Sequence, residues 1–477
     1  LKLRPERRKL PCRLPFLSMW PAALFLGLAA ASLGEPGEQC GESCQVNFLQ
    51  VEVARVGRSP AQAAQGAPWY PSRAVDHNRS GLSPALGPWP LKEPAWLYEV
   101  PGLNFHQTPC IDHQENVYTG SDNGKILSFD RQGNKRWEYD GPARSCQNPF
   151  LFEGVLYTAC SDGSVLALTM EKGQLLWSRK VADAEGGDTY SITATRDHLF
   201  MPAGIAPKFG MGAPKVVLLR RADGEMLWEY ELPNSSATIN IAPCLLESSV
   251  VFADVSGAMY RLRLEDGSVM WQTPPPVGGT FTLGGVACDA EGHAFSGVSL
   301  DDHGPGALQS IDLETGTRLW LKTFVAAVHN APAIGPVFNH DKVAVVFGAG
   351  EPLGVPVGPA ATVNGTVIAA DAKTGEVIWT FEPPPYTGYV AGSTITQVCL
   401  PDLFSGATIS ADGTVYINWS AGGVTYALRD ANKDGRVDLH DPKEVSSVDL
   451  GSGATGPPAL APGMLFVNSC RRLAAIL

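Results

Sequence analysis

Residues 314–323 read ETGTRLWLKT, in which a turn glycine, Gly316, is followed four residues later by Trp320. The phrase recurs as DRQGNKRWEY at 130–139, EKGQLLWSRK at 171–180, ADGEMLWEYEL at 222–232, EDGSVMWQTP at 265–274 and KTGEVIWTFE at 373–382. Trp137, Trp177, Trp228, Trp271, Trp320 and Trp379 are therefore 40, 51, 43, 49 and 59 residues apart. That period suits one four-stranded propeller blade with loops of varying length. One full repeat, residues 148–180, shows why. Apolar and β-branched runs FLF, VLYTAC and VLALTM alternate with turns at Glu153-Gly154, Asp162-Gly163 and Gly173 before the Trp177 strand. Glycine supplies the left-handed backbone of a tight hairpin, and the runs between are suited to packing between sheets.

Two further units depart from the pattern. GMLFVNSCRRLAAIL at 463–477 matches the middle of a blade and stops before its outer strand, while EPAWLYEVPG at 93–102, with Trp96, has the look of an outer strand standing alone. An N-terminal strand closing the last blade leaves no open ring edge. Six tryptophan repeats, a seventh unit around residue 430 and this split unit predict an all-β, eight-bladed propeller, with seven blades as the alternative.

The glycine-to-tryptophan phrase, preceded by SID or AAD at Asp312 and Asp371, closely resembles the pyrroloquinoline-quinone (PQQ) repeat. The resemblance covers roughly residues 69–477, including the lead-in WYPSRAVDHNRSGLSP at 69–84. It implies a propeller like those of the quinoprotein alcohol dehydrogenases and of the outer-membrane assembly lipoprotein, with each Trp docked on the neighbouring blade rather than on a cofactor.

Residues 430–441, DANKDGRVDLHD, have the spacing of an EF-hand calcium loop. Asp430, Asn432 and Asp434 stand at positions 1, 3 and 5, Gly435 at 6, Val437 at 8, Asp438 at 9 and Asp441 at 12, and the Arg436 carbonyl falls at position 7. Calcium needs an oxygen cage and a sharp glycine turn, so these six oxygen-bearing residues are the predicted ligands. Aligning ALRD with AAD places Asp430 over Asp371 and, with one inserted residue, Gly435 over Gly375. The loop thus replaces the turn before the last strand of the seventh blade, with Leu439 or a later apolar residue in the tryptophan's place. A hairpin has no helix pair to open, so the ion is expected to act as a structural staple and not as a sensor.

The chain has 477 residues, a net charge of −12 and 18% charged residues, a balance that argues against a nucleic-acid partner. The basic start and the apolar run MWPAALFLGLAAASLG at 19–34 predict a secretory signal over 1–34, too short for a stable membrane span. A Pro/Gly-rich lead-in follows over 35–90, then the propeller over 91–477. Secretion or another extracytoplasmic location follows, consistent with ten cysteines. Cys40 and Cys44 are close enough to bridge, whereas Cys110, Cys244 and Cys288 occupy similar repeat positions and look like small buried strand residues. Removal of Cys12 with the signal leaves an odd number. Sequons stand at Asn78, Asn234, Asn364 and Asn418.

The resemblance implies two function classes. A dehydrogenase would carry PQQ, a metal and a catalytic Asp near the axis. The adjacent Cys-Cys pair common in those enzymes is missing here, no residue can be singled out as catalytic or PQQ-binding, and no HExxH, GxSxG or phosphate loop occurs. The other class, the expectation adopted here, is a calcium-stabilised scaffold binding a ligand or protein on one propeller face. Its face is expected to carry the lengthened second-to-third-strand loops GIAPKFGMGAP (204–214), SLDDHGPG (299–306) and GAGEPLGVPVGPAATVN (348–364).

Overall fold

Runs such as VLYTAC (Val155–Cys160) and SVLALT (Ser164–Thr169) carry apolar side chains on both faces, and strands of that kind are stable only when both faces are covered. A computed structural model shows how this is achieved. It describes residues 66–477, apart from 101–103, 106, 184–191, 207–211, 240–241, 277–281, 283–284, 301–304, 329, 351–361 and 394–402. The expected signal over 1–34 and Cys40 and Cys44 lie outside the described residues.

Eight four-stranded antiparallel sheets follow one another as propeller blades. They occupy residues 110–140, 146–180, 193–231, 244–273, 286–324, 333–381 and 408–449 for blades 1 to 7. Blade 8 joins Ala459–Ala461, Met464–Asn468 and Arg472–Ile476 to Pro94–Glu99. The closing strand pairs as expected, with Trp96 opposite Ala475 and Leu97 opposite Ala474. Middle strands are buried along their length, whereas outer strands such as Arg318–Phe324 alternate between half-buried and exposed residues. The single helical turn among the described residues is Pro233–Ser235.

The recurring glycine and tryptophan make a ring of docks between blades. Trp137, Trp228, Trp271 and Trp320 donate their indole N–H to the carbonyls of Met170, Leu264, Leu313 and Ala372 of the next blade at 3.0, 2.8, 2.8 and 3.2 Å. Trp96 does the same to Arg131 at 2.8 Å, across the closed junction. Each ring lies on the repeat glycine: a Cβ at Gly133, Gly173, Gly267, Gly316 or Gly375 would come within 3.0 Å of the indole facing it. These glycines therefore answer two demands at once, a left-handed φ and room for a ring.

Cys110, Cys244 and Cys288 are buried strand residues as expected. The structure adds that Cys244 and Cys288 are bonded, tying the inner strands of blades 4 and 5, and that Cys146 and Cys160 bridge within blade 2. Their repeat-like spacing hid the pairing, because the partners stand on consecutive blades.

Candidate functional site

The inner strand of every blade has one edge facing the propeller axis, and unpaired edge groups there need partners. The lead-in segment supplies them. The N–H groups of Ile111, Leu151, Leu245, Cys288, Ile334 and Ile409 donate to the carbonyls of Tyr70, Pro71, His77, Asn78, Ser80 and Gly81 at 2.6–2.9 Å. Blade 3 is reached by a side chain instead. Arg79, wholly buried, donates from Nη2 to the Ile192 carbonyl at 3.2 Å and to the Thr193 hydroxyl, and from Nε to the Pro243 carbonyl at 3.3 Å. Its Nη1 binds the Ser72 hydroxyl and the Arg73 carbonyl, and its guanidinium lies 5.9 Å from the Phe150 ring. Burial, then the neighbouring Arg73, push Arg79 down to about 9, so it remains charged at neutral pH. Residues 70–83 thereby touch seven blades around the axis.

Most of these contacts fall at the C-terminal ends of the inner strands, Ile111, Leu245, Cys288 and Ile409 each being the last residue of its strand. The plug therefore closes the mouth at which first-to-second-strand turns lie. Antiparallel order sends the second-to-third-strand loops and the connections between blades to the opposite mouth. The three lengthened loops expected to form the binding face leave from there, although 207–211, 301–304 and 351–361 lie outside the described residues. What is described of them is braced: Ala213 bridges Thr238, the Leu300 N–H donates to the Pro305 carbonyl, and Thr362–Val363 pairs with Tyr386–Thr387.

Carboxylates sit in the second-to-third-strand turns at this mouth, among them Asp122, Asp162 and the buried Asp254, and the unpartnered Arg472 Nε lies at the same end; the other buried unpartnered groups named here are neutral. Asn418 and Asn468, at or next to the ends of second strands, donate to the Gly456 and Gln107 carbonyls of the next blade. Both amide atoms of Asn148, the Thr108 and Thr455 hydroxyls and the Asn468 Oδ1 are buried without a hydrogen-bond partner. Such groups are rare in folded proteins and mark places where water or a ligand is bound. No sequence signal picked them out, since Asn and Thr are ordinary turn and strand residues. Among the described residues the only buried cations are Arg73 and Arg79, both in the plug.

The 430–441 loop lies elsewhere, between the third and fourth strands of blade 7, Val424–Leu428 and Val445–Asp449, on the outer side of the blade. Val445 stands opposite Leu428 where Trp379 stands opposite Ala369 in blade 6, so a later apolar residue does take the tryptophan's place. Asp430 is wholly buried; Asn432, Asp434, Arg436 and Asp438 are exposed, and Asp441 is half-buried. The Asp430 Oδ2 accepts the Gly435 N–H at 3.3 Å and meets His340 Nε2 at 3.0 Å, while its Oδ1 has no partner. No three His, Cys, Asp or Glu ligand atoms of the loop come within 4.8 Å of one another; among the described residues the trio that does is Asp289, Glu291 and His293. That trio is turn architecture. Asp289 accepts the Glu291 and His293 N–H groups and meets the His293 ring, the turn geometry that Asp112 and Asp254 also make in blades 1 and 4. Of the sequons, Asn418 is buried and bonded to Gly456, while Asn234 and Asn364 are exposed.

Fold and repeat together define a PQQ-repeat β-propeller of eight blades closed by its N-terminal strand. The family model of the outer membrane protein assembly factor BamB matches residues 93–276 and 256–476, and the chain belongs to this family. BamB of Alteromonas naphthalenivorans is 27% identical over 249 residues, 48% of this chain and 54% of that protein. The quinoprotein alcohol dehydrogenase PedH of Pseudomonas putida is 26% identical over 149 residues, 28% of this chain and 25% of that one. The BamB matches span about half the length of those relatives. Among solved structures, BamB of Moraxella catarrhalis superposes with a TM-score of 0.51 at 14% identity over 80% of this chain and 97% of its own. The quinohemoprotein alcohol dehydrogenase of Comamonas testosteroni gives 0.60 at 12% identity, over 86% and 80%. These superpositions bear on the fold alone. No helix among the described residues is long and apolar enough to cross a membrane.

Proposed function

We propose that this chain is an extracytoplasmic, calcium-stabilised scaffold that binds a protein or other ligand at the mouth opposite the plug. The observation that carries the reading is the plug itself. A lead-in that satisfies the inner-strand edges of six blades directly, and a seventh through Arg79, leaves recognition to the other mouth, where the long loops and the uncommitted Asn148, Thr108 and Thr455 groups lie. Neutral amides and hydroxyls suit a neutral polar ligand such as peptide backbone. The Cys146–Cys160 and Cys244–Cys288 disulfides and membership of the BamB family support the extracytoplasmic location.

The partial likeness to PedH makes a PQQ-dependent dehydrogenase the second reading. PQQ is a polycarboxylate quinone, and the wholly buried cation among the described residues, Arg79, is engaged in the plug, which favours the scaffold reading. Two experiments test the proposal. Purified chain given PQQ, calcium and an alcohol should not reduce an electron-acceptor dye; turnover would replace the scaffold reading with the enzyme reading. A photo-crosslinker at the exposed Asn364, on the open mouth, should capture a partner that one at Gln132, on the plugged side, does not. Equal capture from both positions would refute the choice of face.

A further inference from the structure

We infer that Glu444, rather than Asp441, completes the divalent-cation site of the blade 7 loop, and that the ion fastens blade 7 to blade 6 where the tryptophan dock is missing. This rests on the calcium reading above and adds its closing ligand and its consequence.

Asp430 and Glu444 are the two wholly buried carboxylates of the segment. No Lys or Arg pairs with either among the described residues; the only ion-pairing group is the His340 ring beside Asp430. Two buried anions without a cation are costly, and the Asp430 Oδ1 has no partner at all. The Asp430 carboxylate reaches across the loop, since its other oxygen accepts the Gly435 N–H. Glu444 enters from the far end. Its Oε1 accepts the Ala431 and Asn432 N–H groups, both at 3.2 Å, and its Oε2 accepts the Asp438 N–H at 2.9 Å. It therefore lies inside the ring of loop residues that hard-oxygen coordination uses, and a carboxylate oxygen holding one N–H keeps a lone pair for a metal. Asp441 has another task. Its Oδ1 accepts the Lys443 N–H at 2.8 Å, and its carbonyl accepts the Glu444 and Val445 N–H groups, both at 3.0 Å. That turn carries Glu444 inward, so the residue at the expected twelfth position shapes the loop and the fifteenth closes it.

The consequence lies at the blade junction. Trp379 is wholly buried, more deeply than the half-buried Trp137, Trp177, Trp228 and Trp320, yet its indole N–H has no partner, and blade 7 offers no short glycine turn to receive it. Instead the loop adds a parallel segment to the outer strand of blade 6. The Thr380 N–H donates to the Gly435 carbonyl at 3.1 Å, and the Val437 N–H to the Thr380 carbonyl at 2.8 Å. Val437 packs in one cluster with Trp379 and Phe381. From the first turn of blade 6, Asn339 donates to the Ala431 carbonyl at 3.1 Å. An ion drawing Asp430 and Glu444 together holds the 435–437 segment in place.

Calorimetric titration of the chelator-treated full chain with calcium, combined with hydrogen exchange at Thr380 and Val437, tests this. Glu444→Gln and Asp430→Asn should each weaken calcium binding at least about tenfold, and Asp441→Asn less than about threefold. Calcium should slow exchange at Thr380 and Val437 in the wild type by roughly tenfold or more. A tenfold loss in Asp441→Asn with Glu444→Gln unaffected overturns the ligand assignment and leaves the calcium reading standing. Absence of wild-type binding at millimolar calcium overturns both. Binding with unchanged exchange refutes the junction role. Should Glu444→Gln fail to fold, Asp441→Asn decides alone, and a tenfold loss there counts against Glu444.

Discussion

Replacing Gly316 with alanine should cost far more than the same change at Gly154, and the difference measures one tryptophan dock. Both glycines have a left-handed φ, +72° and +79°, so both alanines carry a backbone penalty of roughly 1–2 kcal/mol. At Gly154 the added methyl meets nothing within 4 Å. At Gly316 it would lie 2.8 Å from Cγ and Cδ2 of Trp271 and 3.1 Å from its Cβ, an atom fixed to the backbone of blade 4. The indole must lift, and the buried bond from its N–H to the Leu313 carbonyl at 2.8 Å stretches. Overpacking adds about 1–3 kcal/mol and the weakened bond about 1 kcal/mol, for a total near 3–6 kcal/mol. With an unfolding entropy of about 2.1 cal/mol/K per residue over about 400 residues, this lowers the melting temperature by roughly 4–7 °C, against about 1–2 °C for Gly154→Ala. Scanning calorimetry of the two variants at matched calcium gives the comparison. Equal shifts would show that the repeat glycines serve backbone conformation alone and that the dock contributes nothing.

Three further outcomes follow from the packing. Arg79→Lys should be less stable than Arg79→Met in denaturant titrations, because lysine keeps a buried charge yet has three donors for five acceptors; the reverse order would mean that the plug does not depend on the guanidinium network. Cys110 is wholly buried, its thiol pushed well above the usual range by burial, so it should resist alkylation at pH 8 in the native protein and react once unfolded; rapid native labelling would contradict its placement. Deleting residues through Glu99 removes the outer strand of blade 8 and the Trp96 dock as well as the plug, and should abolish cooperative unfolding, whereas an unchanged calorimetric transition would sink the closure.

Periodicity was enough to read the ring, because every blade must solve the same packing problem. At six of the eight junctions a glycine at left-handed φ meets the tryptophan of the preceding blade, and the split terminal unit is visible as two half-repeats. The 430–441 loop could be placed in blade 7 for the same reason, since Asp430 stands in register with Asp371. What the chain order conceals is which groups meet across the ring. The lead-in looks like a linker, yet Arg79 and its neighbouring carbonyls stop the inner edges of blades far apart in sequence, and nothing local in WYPSRAVDHNRSGLSP signals that. Cys244 and Cys288 have the composition of buried strand residues and become a bond only because two inner strands lie side by side. Likewise Asp441 fits the spacing of a calcium ligand, but spacing counts positions along a backbone, whereas burial of Glu444 depends on the turn that precedes it and on the blade it faces. Local rules determine the repeated unit; the closed mouth and the buried carboxylates arise from contacts between units, and only the tertiary structure decides those.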